Sequence, residues 1–320
     1  MTLPKPPVPV TVIGGYLGAG KTTLVNNLLR AANGLRLAVL VNEFGTLPID
    51  ADLIEARDEE MIAITGGCIC CSYGSDLVAA LISMARREPG PDQILVETSG
   101  VALPGAVASA LTLVAGLALD AVVVLADSET VRERAEDRYT GDTIKRQLVD
   151  ADIILLNKTD LLDPAAREGV RGWLQSTAPR ARIVTTLHAR VPRALLIAGE
   201  GRPPATATGS DRDMSVLEPH GHAHHWDAGG HDSASFTVSH PVDPERLASI
   251  LAHDVPALVR AKGFLPGADG QLYTLQLVGR RWTIARAPEM TAGAGRIVAI
   301  SAGEPLDVAA VEAALAAARS

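Results

Sequence analysis

Residues 8–29 read VPVTVIGGYLGAGKTTLVNNLL, and this stretch decides the fold class. A β-branched apolar run, VPVTVIG, leads into Gly15-Tyr16-Leu17-Gly18-Ala19-Gly20-Lys21-Thr22, a full match to G-x-x-x-x-G-K-T, and then into the helical pattern TTLVNNLL. A strand before and a helix after are the context that a phosphate-binding loop requires. Gly15, Gly18 and Gly20 let successive backbone N–H groups, through Ala19, turn inward around phosphate oxygens, and the helix N-terminus adds partial positive charge. Lys21 brings a point charge to the β- and γ-phosphates, the Thr22 hydroxyl suits Mg²⁺, and Thr23 completes the cradle.

Working outward, short apolar runs alternate with helical patterns. Strands are expected at Pro9–Ile13, Leu37–Asn42, Gln93–Glu97, Ala121–Ala126, Ile153–Asn157 and Arg182–Thr185, with helices at Lys21–Ala32 and Asp76–Arg87. The runs are nearly continuous hydrophobics, as when helices cover both faces of a parallel sheet. This predicts a doubly wound α/β domain over residues 1–198. Residues 199–233 are rich in Gly, Pro, Ser, Thr and His with no apolar period, and read as a flexible connection. Residues 234–320 then predict a smaller α+β domain. Its strands are expected at Ser235–His240, Gln271–Val278, Arg281–Ala287 and Arg296–Ser301, and its helices open at Asp243-Pro244 and Asp307.

The length of 320 residues suits two domains at roughly 100–200 residues each. Apolar residues at 47% provide for a core. A net charge of −8, from 29 basic and 37 acidic residues, disfavours nucleic acid and anionic membrane surfaces as partners. The opening MTLPKPPVPV has no signal-peptide core, and the apolar stretch Leu111–Ala126 is broken by Asp120 and falls short of the roughly 20 residues of a membrane span. It reads as a helix feeding a buried strand. These features predict a soluble, cytoplasmic protein.

The base is suggested by Asn157-Lys158-Thr159-Asp160, which matches N-K-x-D at the end of the VDADIILLN strand. The Asp160 carboxylate can accept from N1–H and N2–H₂ of guanine, a donor pair that adenine lacks. The Lys158 stem can cover the base, and Asn157 can tie this loop to the phosphate loop. Glu97 ends the buried run ILVE before Thr98-Ser99-Gly100, where a nucleotide hydrolase places the carboxylate that helps to hold Mg²⁺ and its waters. No residue reads as an arginine finger or a water-positioning glutamine, so slow intrinsic hydrolysis is expected. The segment TTLHAR after Thr185 carries no sharp base-contacting signature.

All three cysteines, Cys68, Cys70 and Cys71, fall in one four-residue window. A secreted disulfide framework would spread an even number along the chain, so the cluster points to metal or redox chemistry. Thiolates suit Zn²⁺, and Cys68 and Cys70 share a face if the segment is extended. A fourth ligand would come from Glu43, a histidine, water or a client protein. Five of the eight histidines, His220, His222, His224, His225 and His231, stand in the connection or at its end and would bind Zn²⁺, Co²⁺ or Ni²⁺ weakly.

In chain order, GGYLGAGKTT, NEFG at Asn42–Gly45, GGCICC at Gly66–Cys71, ETSG at Glu97–Gly100 and NKTD at Asn157–Asp160 resemble the CobW family of cytoplasmic P-loop GTPases. RAKGFL at Arg260–Leu265 resembles a mark of that family's C-terminal domain. The resemblance implies metal delivery to client metalloenzymes, with Glu43 and Asp50 in a γ-phosphate-sensing switch, Glu97 as the Walker-B acid and Cys68-Ile69-Cys70-Cys71 as the metal motif. The sequence reading is therefore a GTPase that uses Mg²⁺, carries Zn²⁺ and passes it to a client apo-enzyme, with room for a homodimer. Its rivals are cobalt or iron handling for cobalamin synthesis or nitrile hydratase, a GTP-responsive metal sensor or buffer, and a thiol redox protein.

Overall fold

The computed structural model describes residues 6–32, 34–42, 63–66, 75–197, 231–287 and 295–320. The chain divides into two compact units, one reaching Ala198 and the other built from most of the residues beyond it.

In the first unit seven strands form one sheet: β1 (Val8–Gly15), β2 (Leu37–Asn42), β3 (Ala63–Gly66), β4 (Gln93–Glu97), β5 (Leu117–Asp127), β6 (Ile153–Asn157) and β7 (Arg182–Thr185). Their spatial order is β3-β2-β4-β1-β5-β6-β7, and every pairing is parallel. Among the described residues seven helices accompany them: α1 (Lys21–Arg30), α2 (Ser75–Ala85), α3 (Pro104–Leu111), α4 (Val131–Ala135), α5 (Gly141–Val149), α6 (Pro164–Thr177) and α7 (Arg193–Leu196). Their apolar sides make the continuous strands possible. Helix α1 turns Lys21, Leu24, Val25 and Leu28 inward, the i, i+3, i+4, i+7 stripe of a helix packed on a sheet. Helix α6 begins at Pro164, where the Asp163 carboxylate accepts from the Ala166 N–H at 2.8 Å.

The apolar stretch 111–126 divides as its composition suggests, with α3 ending at Leu111 and β5 starting at Leu117. Asp120 falls inside β5, but the register against β1 slips there, Val10 facing Leu119 and Thr11 facing Ala121. A bulge thus absorbs the one charged residue in the interior of an otherwise apolar strand, whose other acid, Asp127, ends it. The chain runs from β1 to β2, two places away across β4, and later returns to β5 on the opposite side of β1. In such sheets the ligand crevice lies at the carboxyl ends of the strands around this reversal. The phosphate loop follows β1.

The second unit holds a five-stranded sheet, in the order β11-β10-β9-β12-β8, of β8 (His231–Val238), β9 (Leu258–Pro266), β10 (Leu272–Val278), β11 (Arg281–Arg286) and β12 (Gly295–Ala302). Strand β12 pairs antiparallel with β8 and β9. Helices α8 (Pro244–Asp254) and α9 (Val308–Ala317) share a core with the sheet through Leu247, Leu251, Val311 and Ala314 against Phe236, Leu277 and Ile297. The Asp243 carboxylate caps α8, accepting from the Glu245 and Arg246 N–H groups.

The structure corrects two expectations. Strand β9 was not expected from the pattern, because Arg260 sits inside it at 1% exposure and breaks the apolar run. Strand β8 begins at His231, four residues before the expected start, so residues 231–233 belong to the sheet and not to the connection. His231 faces Ala302 in the ladder and is buried, unlike a residue of an open connection. Among the described residues no helix is long and apolar enough to cross a membrane.

Candidate functional site

The loop between β1 and α1 is shaped by its glycines. Gly15, Gly18 and Gly20 have φ of 133°, 78° and 106°, a region that L side chains rarely adopt. Two of them are also sterically obligatory. A Cβ on Gly15 would lie 2.4 Å from the Leu125 carbonyl oxygen, and one on Gly20 would lie 2.6 Å from Asn157 Nδ2. The loop can therefore pass close to β5 and β6 only without side chains at these points. Gly20 precedes α1 in left-handed conformation and brings no side-chain cap, so the first-turn N–H groups are directed at the loop's concavity. Lys21 is 8% exposed, and its Nζ donates to the Tyr16 carbonyl at 3.4 Å, which folds the ammonium back over the loop.

Beside the loop, Thr22 Oγ1 donates to Glu97 Oε1 at 2.9 Å. Glu97 is buried at the carboxyl end of β4, where it faces Ile13 of β1 and Val41 of β2. A hydroxyl and a carboxylate joined beside a phosphate loop are the hard oxygen donors that suit Mg²⁺, which keeps several of its own waters. The residues present fit that ion.

The third part lies at the ends of β6 and β7. Asn157 Nδ2 donates to the Ala19 carbonyl at 2.9 Å, while its Oδ1 accepts from the Ala189 N–H at 2.8 Å. One buried amide thus joins the phosphate loop to the segment after β7. Asn27 of α1 grips the same segment, its Nδ2 donating to the carbonyls of His188 and Ala189 at 2.9 and 3.0 Å. Held from two sides, His188 and Ala189 adopt φ of 52° and 51°. Thr159 Oγ1 donates to the Thr186 carbonyl at 3.3 Å, which ties the Asn157–Asp160 turn to this segment as well. Asp160 stands exposed on a 3₁₀ turn, Thr159–Leu161, backed by Arg167 Nη2, which donates to the Thr159 carbonyl at 2.9 Å. Lys158 has φ of 61°, and its Nζ donates to Asp127 Oδ2 at 2.7 Å.

The structure thus brings together Gly15, Gly18, Ala19, Gly20, Lys21, Thr22, Glu97, Asn157 and Lys158, with Asp160 on the adjoining turn. Thr23 is exposed on the first turn of α1. Glu43, Asp50, Cys68, Cys70, Cys71, His220, His222, His224 and His225 lie outside the described residues. Sequence reasoning missed Asn27 and Asp127; it looked for a base-contacting segment after Thr185 but found no signature there. Asn27 carried no motif signal, and the segment's partners contact it through backbone atoms, which leave no mark on residue type.

A family model for the CobW/HypB/UreG nucleotide-binding domain matches residues 9–185, and one for the cobalamin synthesis protein cobW C-terminal domain matches residues 231–319. The chain belongs to the CobW family. Among its relatives, the zinc chaperone CobW of Sinorhizobium sp is 32% identical over 97% of this chain and 97% of its own length. The zinc chaperone YjiA of Escherichia coli (strain K12) is 30% identical over 81% of this chain and 82% of its own. The zinc-regulated GTPase metalloprotein activator 1 of Schizosaccharomyces pombe is 34% identical over 58% of this chain, a match spanning 47% of that protein. The order of motifs from GGYLGAGKTT to NKTD had implied this membership. The CobW-type nucleotide-binding half contains the phosphate loop, the Thr22–Glu97 pair and the Asn157–Asp160 turn alike.

Proposed function

We propose that this chain is a GTP-hydrolysing metallochaperone that loads Zn²⁺ on Cys68, Cys70 and Cys71 and hands it to a client apo-enzyme in the cytoplasm under nucleotide control. The observation that carries the reading is the register at the sheet's carboxyl rim. Asn42 faces Gly66, Val41 faces Glu97, and Glu97 faces Ile13, two residues before the phosphate loop begins. The chain therefore leaves β3 for Cys68 from the same rim as the phosphate loop. Three strand spacings separate β3 from β1, about 14 Å at ~4.8 Å each. The NEFG segment with Glu43 leaves from β2, between them. This register supports a reading in which a cargo site, a switch and a γ-phosphate site share one rim of the sheet, and the names of the zinc-handling relatives support the choice of metal.

Within this reading the chain's own groups divide the work. The N–H groups of the phosphate loop and Lys21 hold the β- and γ-phosphates, so the charge that develops on the transferring group meets donors already in place. Thr22 and Glu97 would hold Mg²⁺, which supplies neutralisation of phosphate charge when bound. Asp160 reads guanine N1–H and N2–H₂ while Asn157 keeps the base and phosphate regions in register. Thiolates from the three cysteines, with an open fourth position, suit cargo that must leave.

The test uses full-length protein with Zn²⁺ and GTP. Replacing the three cysteines together by Ser is expected to remove the tight Zn²⁺ site and leave nucleotide binding intact, whereas Lys21→Ala abolishes GTP turnover. Unchanged Zn²⁺ affinity in the triple variant, or equal turnover by Lys21→Ala and wild type, would overturn the assignment.

A further inference from the structure

Asp127 ends β5 directly opposite Asn157, the last residue of β6. Its carboxylate is engaged at both oxygens. Oδ2 accepts from Lys158 Nζ at 2.7 Å, and Oδ1 accepts from the Glu129 N–H at 3.1 Å. The next residue closes the arrangement, as Ser128 Oγ donates to the Lys158 carbonyl at 2.8 Å and the Ser128 N–H to the Asn157 carbonyl at 3.0 Å. The Asp127 side chain is 14% exposed and that of Lys158 is 37% exposed, so one flank of the pair is sheltered and the other faces solvent.

The direction of the lysine matters more than the ion pair itself. Lys158 leaves β6, and its Nζ is anchored on β5, the strand next to β1 and the phosphate loop. Its methylene stem is therefore drawn across the carboxyl rim along the line that a nucleotide follows between Asp160 and the phosphate loop. The left-handed backbone at Lys158 sends this side chain to β5 while the preceding Asn157 side chain turns to Ala19. A lysine not so tethered samples many rotamers, and nucleotide binding would have to freeze them; a stem held beforehand spares that entropy.

We propose that Asp127 is a positioning residue for base recognition, holding the Lys158 stem as a preformed apolar ledge on which the guanine ring rests. The proposal rests on the assignment of Asn157–Asp160 as the guanine reader. Asp127→Asn is nearly isosteric and keeps an oxygen for the Glu129 N–H, but it removes the charge that anchors Nζ. Lys158→Met keeps an unbranched apolar stem and removes the charge from the other side.

The experiment is a double-mutant cycle read by mant-GDP titration of full-length wild type, Asp127→Asn, Lys158→Met and the double variant, repeated with IDP as competitor. Asp127→Asn is expected to weaken mant-GDP binding about tenfold, or 1.4 kcal/mol. GDP and IDP should weaken alike, since the 2-amino group is read by Asp160 and not by the ledge. In the Lys158→Met background the same substitution should change affinity less than twofold, whatever it does to the melting temperature. An equal loss in both backgrounds would mean that Asp127 acts through the fold, and would overturn the proposal while leaving the guanine assignment standing. Wild-type affinity for both GDP and IDP in Lys158→Met would overturn the ledge and the lysine's part in base reading together.

Discussion

Asn157 is the residue whose removal most directly reports on the architecture of the nucleotide site. It is 3% exposed and serves two partners that are themselves buried, the Ala19 carbonyl and the Ala189 N–H. Truncation to Ala deletes both hydrogen bonds and strands one acceptor and one donor, each at about 1–3 kcal/mol when no partner replaces the lost one. Taking a value near the lower middle, the Asn157→Ala protein should lose about 3 kcal/mol. For a unit of this size that is about 6–12 °C in melting temperature, at roughly 2–4 °C per kcal/mol. Asn157→Asp separates the two contacts. It retains an acceptor for Ala189 N–H but sets a carboxylate oxygen against the Ala19 carbonyl, so repulsion replaces attraction on the phosphate-loop side alone. The expected outcome is a loss of stability at least as large as in Asn157→Ala, because a buried carboxylate facing a carbonyl oxygen is left uncompensated, with GDP affinity falling at least tenfold in both. Thermal unfolding followed by circular dichroism, without and with saturating GDP, measures the first quantity, and mant-GDP titration the second. A melting temperature within 2 °C of wild type for Asn157→Ala, with GDP affinity within twofold, would refute the view that this amide joins the two loops.

The same structure leads to two further outcomes. Asp160→Asn should cut GTP affinity sharply while improving binding of xanthosine triphosphate, because an amide can donate to the xanthine O2 that the carboxylate repels; competition against mant-GDP checks it, and GTP affinity within twofold would remove Asp160 as the base reader. Deleting residues 220–225 should lower the number of weakly held metal ions, counted by equilibrium dialysis, without lowering the melting temperature. Extending the deletion through His231 cuts into β8 and should destabilise the second unit, a contrast that would vanish if His231 belonged to the same open tract.

The nucleotide-binding half was legible because its functions are carried by short local motifs. Two glycines, a lysine and a threonine at fixed spacing define a phosphate loop, and Gly15 and Gly20, with Gly18 between them, all adopt the positive φ that favours glycine. The continuous apolar runs likewise announced a parallel sheet, and Asp120 interrupted one of them without ending it because a bulge takes up the misfit. What escaped were contacts between residues far apart in sequence. Asn27 is 161 positions from His188, and the bond runs to a backbone carbonyl, so neither partner's identity announces it. Asp127 lay one residue beyond the expected strand Ala121–Ala126 and carried no signal of its own. In the second unit, fully buried Arg260 disguised β9, and the buried pair His231–Asp232 disguised the start of β8. Charged residues inside a sheet defeat reading by apolar periodicity because burial is then decided by their partners and not by their hydropathy.

The central proposition is that nucleotide state controls the grip on metal, through segments that leave β2 and β3 beside the phosphate loop. The most direct measurement is the Zn²⁺ affinity of the full-length protein in the presence of a non-hydrolysable GTP analogue and in the presence of GDP, by competition with a chromophoric chelator. Linkage requires that any factor by which nucleotide changes Zn²⁺ affinity is returned by Zn²⁺ on nucleotide affinity, so mant-nucleotide titrations with and without Zn²⁺ must agree in magnitude. The account predicts a difference of at least about tenfold, or 1.4 kcal/mol, between the two states, abolished when Cys68, Cys70 and Cys71 are replaced by Ser. Identical Zn²⁺ affinities in the two nucleotide states would contradict it, leaving a nucleotide site and a metal site on one chain with no coupling between them.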